Sequence, residues 1–329
     1  MNTSWSLYDY FFSTVFYCTG SVALVCNVTL IYLIITRSPK TLAAYRVFLL
    51  NVALGDIVFT LSGTFAQIRI IPNKWAFAYI PLGPSRFFGP HISYLAYCVQ
   101  LHSLFYSFLS FPLSFGFRYY ILIRPMPTVS SCVLLCLCLW MVALGQHILF
   151  IFSESPTSVI EESLLINKPH YNLTGWQISG NHMLNQPMTS VVLGTIVLPM
   201  FPIYVLVIFF YKKVHKFLKA NNENMREVTV RGHKKLLKAI TIQASIPIFF
   251  MFPPITIYGL YHLEFIDFTI IEYSVYALFS FFPAISPMVT LYFVKPYNLA
   301  IRRFFRLQER ISPFTSETDK HARYSTSQI

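Results

Sequence analysis

A chain of 329 residues that is 55% hydrophobic and only 12% charged departs from ordinary soluble domains, in which roughly a quarter of residues are charged. The formal net charge of +12 would suggest nucleic acid in a soluble protein, but the placement of the charges argues against it. Twenty-one of the 25 Lys and Arg residues fall in four short segments, 37–46, 118–127, 212–238 and 295–329, which alternate with seven apolar runs.

The runs read as helices at Tyr10–Thr36, Val47–Ile68, His91–Phe117, Thr128–Phe152, Pro187–Tyr211, Ala239–Tyr261 and Phe268–Val294. About 20 apolar residues suffice to cross a hydrocarbon core, and lipid cannot satisfy an open backbone. Cytoplasmic loops carry the Lys and Arg excess, which places the N-terminus outside and the C-terminus inside. The expected fold is an all-α membrane protein: a short outer N-terminus at 1–9, a seven-helix domain at 10–294 and an inner tail at 295–329.

The first run is too long for a cleavable signal peptide and has no basic residue before it; it reads as a signal anchor. Asn2 and Asn172 head outer sequons and are candidate glycosylation sites. Asn27 also heads a sequon, but lies inside the first run. The second run carries Asp56, the deepest acid in any run. Such a group costs roughly 2.5–3.5 kcal/mol at a helix centre, so it is expected to face the bundle, with Asn27 and Ser286 as partners. That cluster is a candidate activation switch; a static interhelical hydrogen bond is the plainer alternative.

The outer segment Ile71–Pro90 contains Pro72, Pro81, Gly83, Pro84, Gly89 and Pro90, which predicts an irregular but ordered loop. Arg118-Tyr119-Tyr120 closes the third run at the inner surface, where Arg118 is either a coupling residue or an ordinary positive anchor. Gln100, His102, Gln146 and His147 lack metal-ligand spacing and read as bundle-facing hydrogen-bonding groups. All six Cys lie in apolar runs, and the outer loops hold none. Tyr94 and Tyr97 in the third run, with Tyr258 and Tyr261 at the outer end of the sixth, can line an apolar pocket between helices.

Lys212, Lys213, Lys216 and Lys219 suggest that the fifth helix continues past the membrane. Lys234, Lys235 and Lys238 suggest that the sixth begins before it. Pro247 and Pro287 offer hinge points, since Pro removes a backbone donor and clashes with the preceding turn. After the seventh run, residues 298–307 place Leu299, Phe304 and Phe305 against Arg302, Arg303 and Arg306, an amphipathic helix suited to an anionic inner leaflet. The Gly-x-Gly-Asp, Gly-x-Ser-Gly and His-Glu-x-x-His patterns of intramembrane or metal enzymes are missing, so no enzyme and no cofactor is expected. A transporter or ligand-gated channel remains the alternative class, although no internal repeat is found.

Seven spans, an outer N-terminus and an amphipathic eighth helix are the layout of G-protein-coupled receptors. More specific are Tyr45–Asn51 followed by Asp56, Gln67–Asn73, Gly83–Pro90, Phe117–Tyr120, and His233–Ala239 with Gln243 and Pro247. Together they resemble the serpentine receptor class delta (Srd) family of nematode chemoreceptors, over the whole chain through Arg306. The segment Ile68–Pro90 carries the most specific part, although Ser85 stands where a Cys is expected. The resemblance implies a plasma-membrane chemoreceptor of sensory-neuron cilia, taking a small odorant or pheromone-like ligand and a heterotrimeric G protein. It makes Arg118, Tyr119, Lys234, Lys235, Arg302 and Arg303 candidate G-protein contacts. Measured against rhodopsin-like receptors, Phe117 stands where an acid precedes the Arg, and the disulfide between the third helix and the second outer loop cannot form.

Overall fold

The computed structural model describes residues 5–38, 43–171, 174–220, 227–266 and 268–304. It begins with α1 (Leu7–Arg37), whose start is fixed by a reciprocal cap. Ser6 Oγ accepts the Asp9 N–H, and the Asp9 carboxylate accepts the Ser6 N–H at 2.7 Å. The cap satisfies two donors that a helix start otherwise leaves open. Next come α2 (Ala43–Ala66), the hairpin β1 (Ile68–Asn73) and β2 (Ala76–Pro81), then α3 (Pro90–Ile123) and α4 (Val129–Ile151). A short helix, α5 (Thr157–Asn167), and strand β3 (Ser179–His182) follow.

The three remaining spans are each broken once. The fifth is α6 (Met188–Val197) and α7 (Met200–Ala220), the sixth α8 (Glu227–Phe250) and α9 (Phe252–His262), and the seventh α10 (Ile270–Phe279) and α11 (Phe282–Phe293). The breaks sit beside Pro199, Pro253 and Pro283, each of which lacks a donor and crowds the turn before it. The hinges expected at Pro247 and Pro287 lie inside helix instead. The nearby discontinuities fall at Met251 and at Ser280–Phe281. A final helix, α12 (Lys295–Phe304), starts three residues before the expected Asn298; residues 305–307 lie outside the described residues.

Among the described residues, six helical segments are long and apolar enough to cross a membrane. The third span is not one of these six, because Ser93, Gln100, His102, Ser103, Ser107, Ser110 and Ser114 dilute its hydropathy. Yet it is 34 residues long and has a deeply packed middle, from Tyr94 through Phe108 to Phe115. A helix surrounded by other helices need not be apolar all round. Small residues allow close approach: a Cβ on Gly20 of α1 would lie 2.4 Å from Thr64 Oγ1 of α2.

The segment after α2 departs from the irregular loop expected. It forms a three-stranded antiparallel sheet, β1-β2-β3, with Asn73 opposite Ala76 and Tyr79 opposite Ser179. The prolines that suggested irregularity fit the sheet. Pro72 lies on the edge strand β1, where a missing donor is tolerated, and Pro81 ends β2. All residues of β1 and β2 are buried, because Ile70, Ile71, Phe77, Tyr79 and Ile80 pack against the helix ends and α5. The sheet thus caps one end of the bundle, and the basic helix ends mark the other.

Candidate functional site

Polar groups gather at three levels along the bundle. At the sheet end, Arg69 of β1 meets Glu272 of α10. Arg69 Nη2 lies 2.6 Å from Glu272 Oε2, and its Nε donates to the same oxygen at 2.8 Å. Glu272 is 0% exposed. Its other oxygen accepts hydrogen bonds from Tyr171 and, at 2.8 Å, from Tyr261. The guanidinium carbon sits 4.5 Å from the centroid of the Tyr273 ring, and Tyr273 Oη donates to Asp9 at 2.8 Å. One network therefore joins the helix cap of α1, the hairpin, the segment between α5 and β3, α9 and α10.

Electrostatics follow from that geometry. Burial works against the Arg69 charge, but Glu272, with Tyr273 and Asp9, outweighs it and raises the Arg69 pKa above its ordinary value. Burial, and then the neighbouring Glu272 carboxylate, push the Tyr171 phenol up. On the rim, burial raises the Glu154 carboxyl, opposed by its 2.6 Å contact with His91. Arg69, Glu272 and Asp9 were not singled out from the sequence. The available signal was a lone Arg in an apolar outer segment and a lone Glu inside an apolar run, each of which needs a partner.

Below the sheet lies an aromatic cluster. The structure brings Tyr97 and Tyr258 of the expected pocket together there and adds Tyr79 and Tyr276, whereas Tyr261 turns to Glu272. Tyr97 and Tyr276 share a 2.6 Å hydrogen bond. Phe77 of β2 stacks on His262 and Tyr258. The Tyr258 hydroxyl and His262 Nδ1 are buried without a partner. Tyr94 is used differently: its hydroxyl donates to the Phe150 carbonyl at 2.6 Å and accepts from Asn181, tying α3 to α4 and β3.

In the middle, Asp56 is 1% exposed and neither carboxylate oxygen has a hydrogen-bond partner. Of the partners expected for it, Asn27 is engaged elsewhere, whereas Ser286 is held close by. Asn27 Nδ2 donates to the Ala23 and Pro283 carbonyls at 2.9 and 3.0 Å. Ser286 lies beside the carboxyl, but receives Gln243 Nε2 from α8, which also donates to Thr290 at 2.8 Å. Gln243 thus joins the sixth span to the seventh. His102 and His147 come together with ring centroids 5.2 Å apart, each Nδ1 bonded to a backbone carbonyl at 3.1 Å. Among the described residues, no cluster of three His, Cys, Asp or Glu could hold a metal.

At the basic end, Arg118 is not a surface group. It is 3% exposed, and its guanidinium carbon sits 3.7 Å from the centroid of the Tyr45 ring. Its Nε and Nη2 are buried without partners. Tyr45 also stacks on Phe117, the residue that replaces an acid. Tyr119 is half-buried against Phe210 of α7, while Lys234 and Arg303 are exposed. Arg302 Nε donates to Asn298 at 2.8 Å. The side chain of Lys235, and both Asn2 and Asn172, lie outside the described residues.

The fold matches that of squid rhodopsin with a TM-score of 0.66 at 16% identity, over 100% of this chain and 94% of that one. Two proteins of Caenorhabditis elegans are similar along most of their length. Serpentine receptor class delta-18 is 35% identical over 84% of this chain and 83% of its own. Serpentine receptor class delta-3 is 29% identical over 90% and 88%. The family described as serpentine type 7TM GPCR chemoreceptor Srd matches residues 12–303. The buried hairpin, the polar levels along a seven-helix bundle and these matches agree: this multi-pass membrane protein belongs to the Srd family of seven-transmembrane, G-protein-coupled-receptor-like chemoreceptors.

Proposed function

We propose that the chain is a chemosensory receptor that binds a small molecule beneath the sheet and activates a heterotrimeric G protein at its basic end. The observation that carries this reading is the Tyr258 hydroxyl, buried below the sheet with no partner. Leaving such a group unpaired costs about 1–3 kcal/mol, which a bound molecule with a hydrogen-bonding atom would recover. Tyr97 and Tyr276 surround the same region; Tyr261, bonded to Glu272, and Tyr94 stand at its edge.

In this reading the sheet end faces outward, because the basic segments collect at the other end. The N-terminus is outside, and the protein resides in the plasma membrane of sensory cilia. The ligand must bind the active arrangement better than the inactive one. The switch runs through Asp56, Asn27, Ser286 and the proline-marked sixth and seventh spans, Pro247 and Pro287 included. Arg118 then leaves Tyr45 and, with Tyr119, Lys234, Lys235, Arg302 and Arg303, meets the G protein. Asn2 and Asn172 would carry glycans on the outer side. A panel of volatile and water-soluble small molecules on cells expressing the chain, with calcium readout, tests the ligand step. Tyr258→Phe should raise the half-maximal ligand concentration at unchanged surface expression; an unchanged response would remove Tyr258 from the site.

A further inference from the structure

Inside the bundle, Gln100 of α3 is 1% exposed, and neither its amide nitrogen nor its amide oxygen has a hydrogen-bond partner. It lines a cavity of about 10 Å³. The other walls include Gly20 of α1, Thr60 and Gly63 of α2, and Ser280 and Pro283, which flank the break between α10 and α11. A Cβ on Gly63 would lie 2.6 Å from Gln100 Nε2, so glycine makes room for the amide. None of the described residues that line the cavity is charged. Thr60 and Ser280 donate their hydroxyl protons to the Asp56 and Ala277 carbonyls, both at 2.6 Å. They therefore offer the cavity lone pairs. Ser280 also shares a 2.8 Å bond with Thr19 of α1.

From these groups we infer that the cavity is a binding site for one internal water molecule, which solvates the break in the seventh span. Size selects the occupant. A cavity needs roughly 10–15 Å³ to take a water, whereas pockets for organic ligands start at about 300 Å³. Chemistry selects it again. Gln100 supplies a donor and an acceptor, the two hydroxyls supply acceptors, and water gives two protons and receives two. A buried cation would need a compensating charge, which these walls do not supply. Proline in a membrane helix is tolerated where ordered water or neighbouring groups satisfy the backbone it frees. Pro283 has no N–H to return to the carbonyl of Phe279, four residues before it, and the cavity lies at that turn. A water there joins α2 and α3 to α10, the piece that carries Glu272 and Tyr276. Its bonds exchange without strain, so α10 can pivot while the Gln100 amide stays bonded.

The test uses the full-length chain in phosphatidylcholine bilayers, with neither ligand nor G protein. A density map that resolves ordered waters should show one peak in the cavity, about 2.7–3.2 Å from the Gln100 amide. Its height should be equal in sodium chloride and in choline chloride. Solid-state NMR of the chain labelled at glutamine reads the same contact: at short mixing times, magnetisation should pass from water to the Gln100 side-chain amide. Gln67 is the dry control. It is 0% exposed, its Oε1 accepts from Ser13, and its Nε2 donates to the Thr64 carbonyl. Its signal should gain severalfold less. Gln100→Met, similar in length, assigns the signal and should remove both it and the density peak. The map and the density comparison between salts need only the unaltered chain, so the proposal stays falsifiable if that variant does not fold. A cavity without density, an amide bonded directly to protein, or equal transfer to Gln100 and Gln67 would overturn the water site. A peak present in sodium and lost in choline would overturn it in favour of a cation. Since signalling is not read, failure here leaves the receptor reading standing.

Discussion

Arg69 and Glu272 are 203 positions apart and form a buried ion pair at 2.6 Å. The pair fastens the hairpin to the seventh span in a chain whose described cysteines are all free. Glu272 also accepts two tyrosine hydroxyls, so its lone pairs are well satisfied. That is the condition under which a buried pair compensates its desolvation.

Breaking the pair from one side strands the other charge. Glu272→Gln or Arg69→Met should each cost about 3–5 kcal/mol. The double replacement Arg69→Met with Glu272→Leu should cost markedly less than the sum. Thermal unfolding in detergent gives the three values. Strict additivity would mean that the two residues do not act on each other.

Arg118 is held by a ring in place of an acid. A desolvated cation–π contact is worth about 2 kcal/mol, and releasing it shifts a two-state equilibrium by roughly thirtyfold. Tyr45→Leu should therefore raise ligand-independent signalling, and Arg118→Ala should abolish signalling at equal surface expression. Basal output unmoved by Tyr45→Leu would remove the restraint, and normal signalling by Arg118→Ala would remove the coupling role.

Gly180 lets β3 lie flat on β2. An added Cβ would sit 2.2 Å from the Phe77 carbonyl oxygen and 3.2 Å from Ile160. Gly180→Ala should destabilise the sheet by about 1–3 kcal/mol. Faster proteolysis of the second outer loop, relative to the bundle, would register it; parental cleavage kinetics would show that the sheet can shift to make room.

Asp56 sits unpaired in the middle of the bundle. Asp56→Asn preserves shape while removing the ionisable group, so stability should hold or rise, with a lowered response to agonist. A lower unfolding temperature together with a normal response would exclude Asp56 from the switch.

The helices and the family were legible because they depend on local composition and on segments such as Gly83–Pro90. The sheet was not. Its prolines and glycines are loop signals, and the third strand that completes it, residues 179–182, lies a hundred positions on. The burial of Arg118 was hidden for a similar reason. Charge at a span end favours the surface, and the Tyr45 ring that takes it inside lies on another helix. Asp56 was correctly placed toward the bundle with Ser286 beside it, but Asn27, the other partner drawn from sequence, bonds backbone carbonyls instead. Helix breaks were foreseeable as proline effects, and which proline breaks its helix depended on neighbouring packing.

The central claim is ligand-driven activation of a G protein. Its most direct test is second-messenger output in cells expressing the chain, under a ligand found by screening, with and without G-protein block. The account predicts a ligand response that the block abolishes and that Arg118→Ala removes at equal surface expression. A ligand-gated current that survives the block would contradict it and favour a channel.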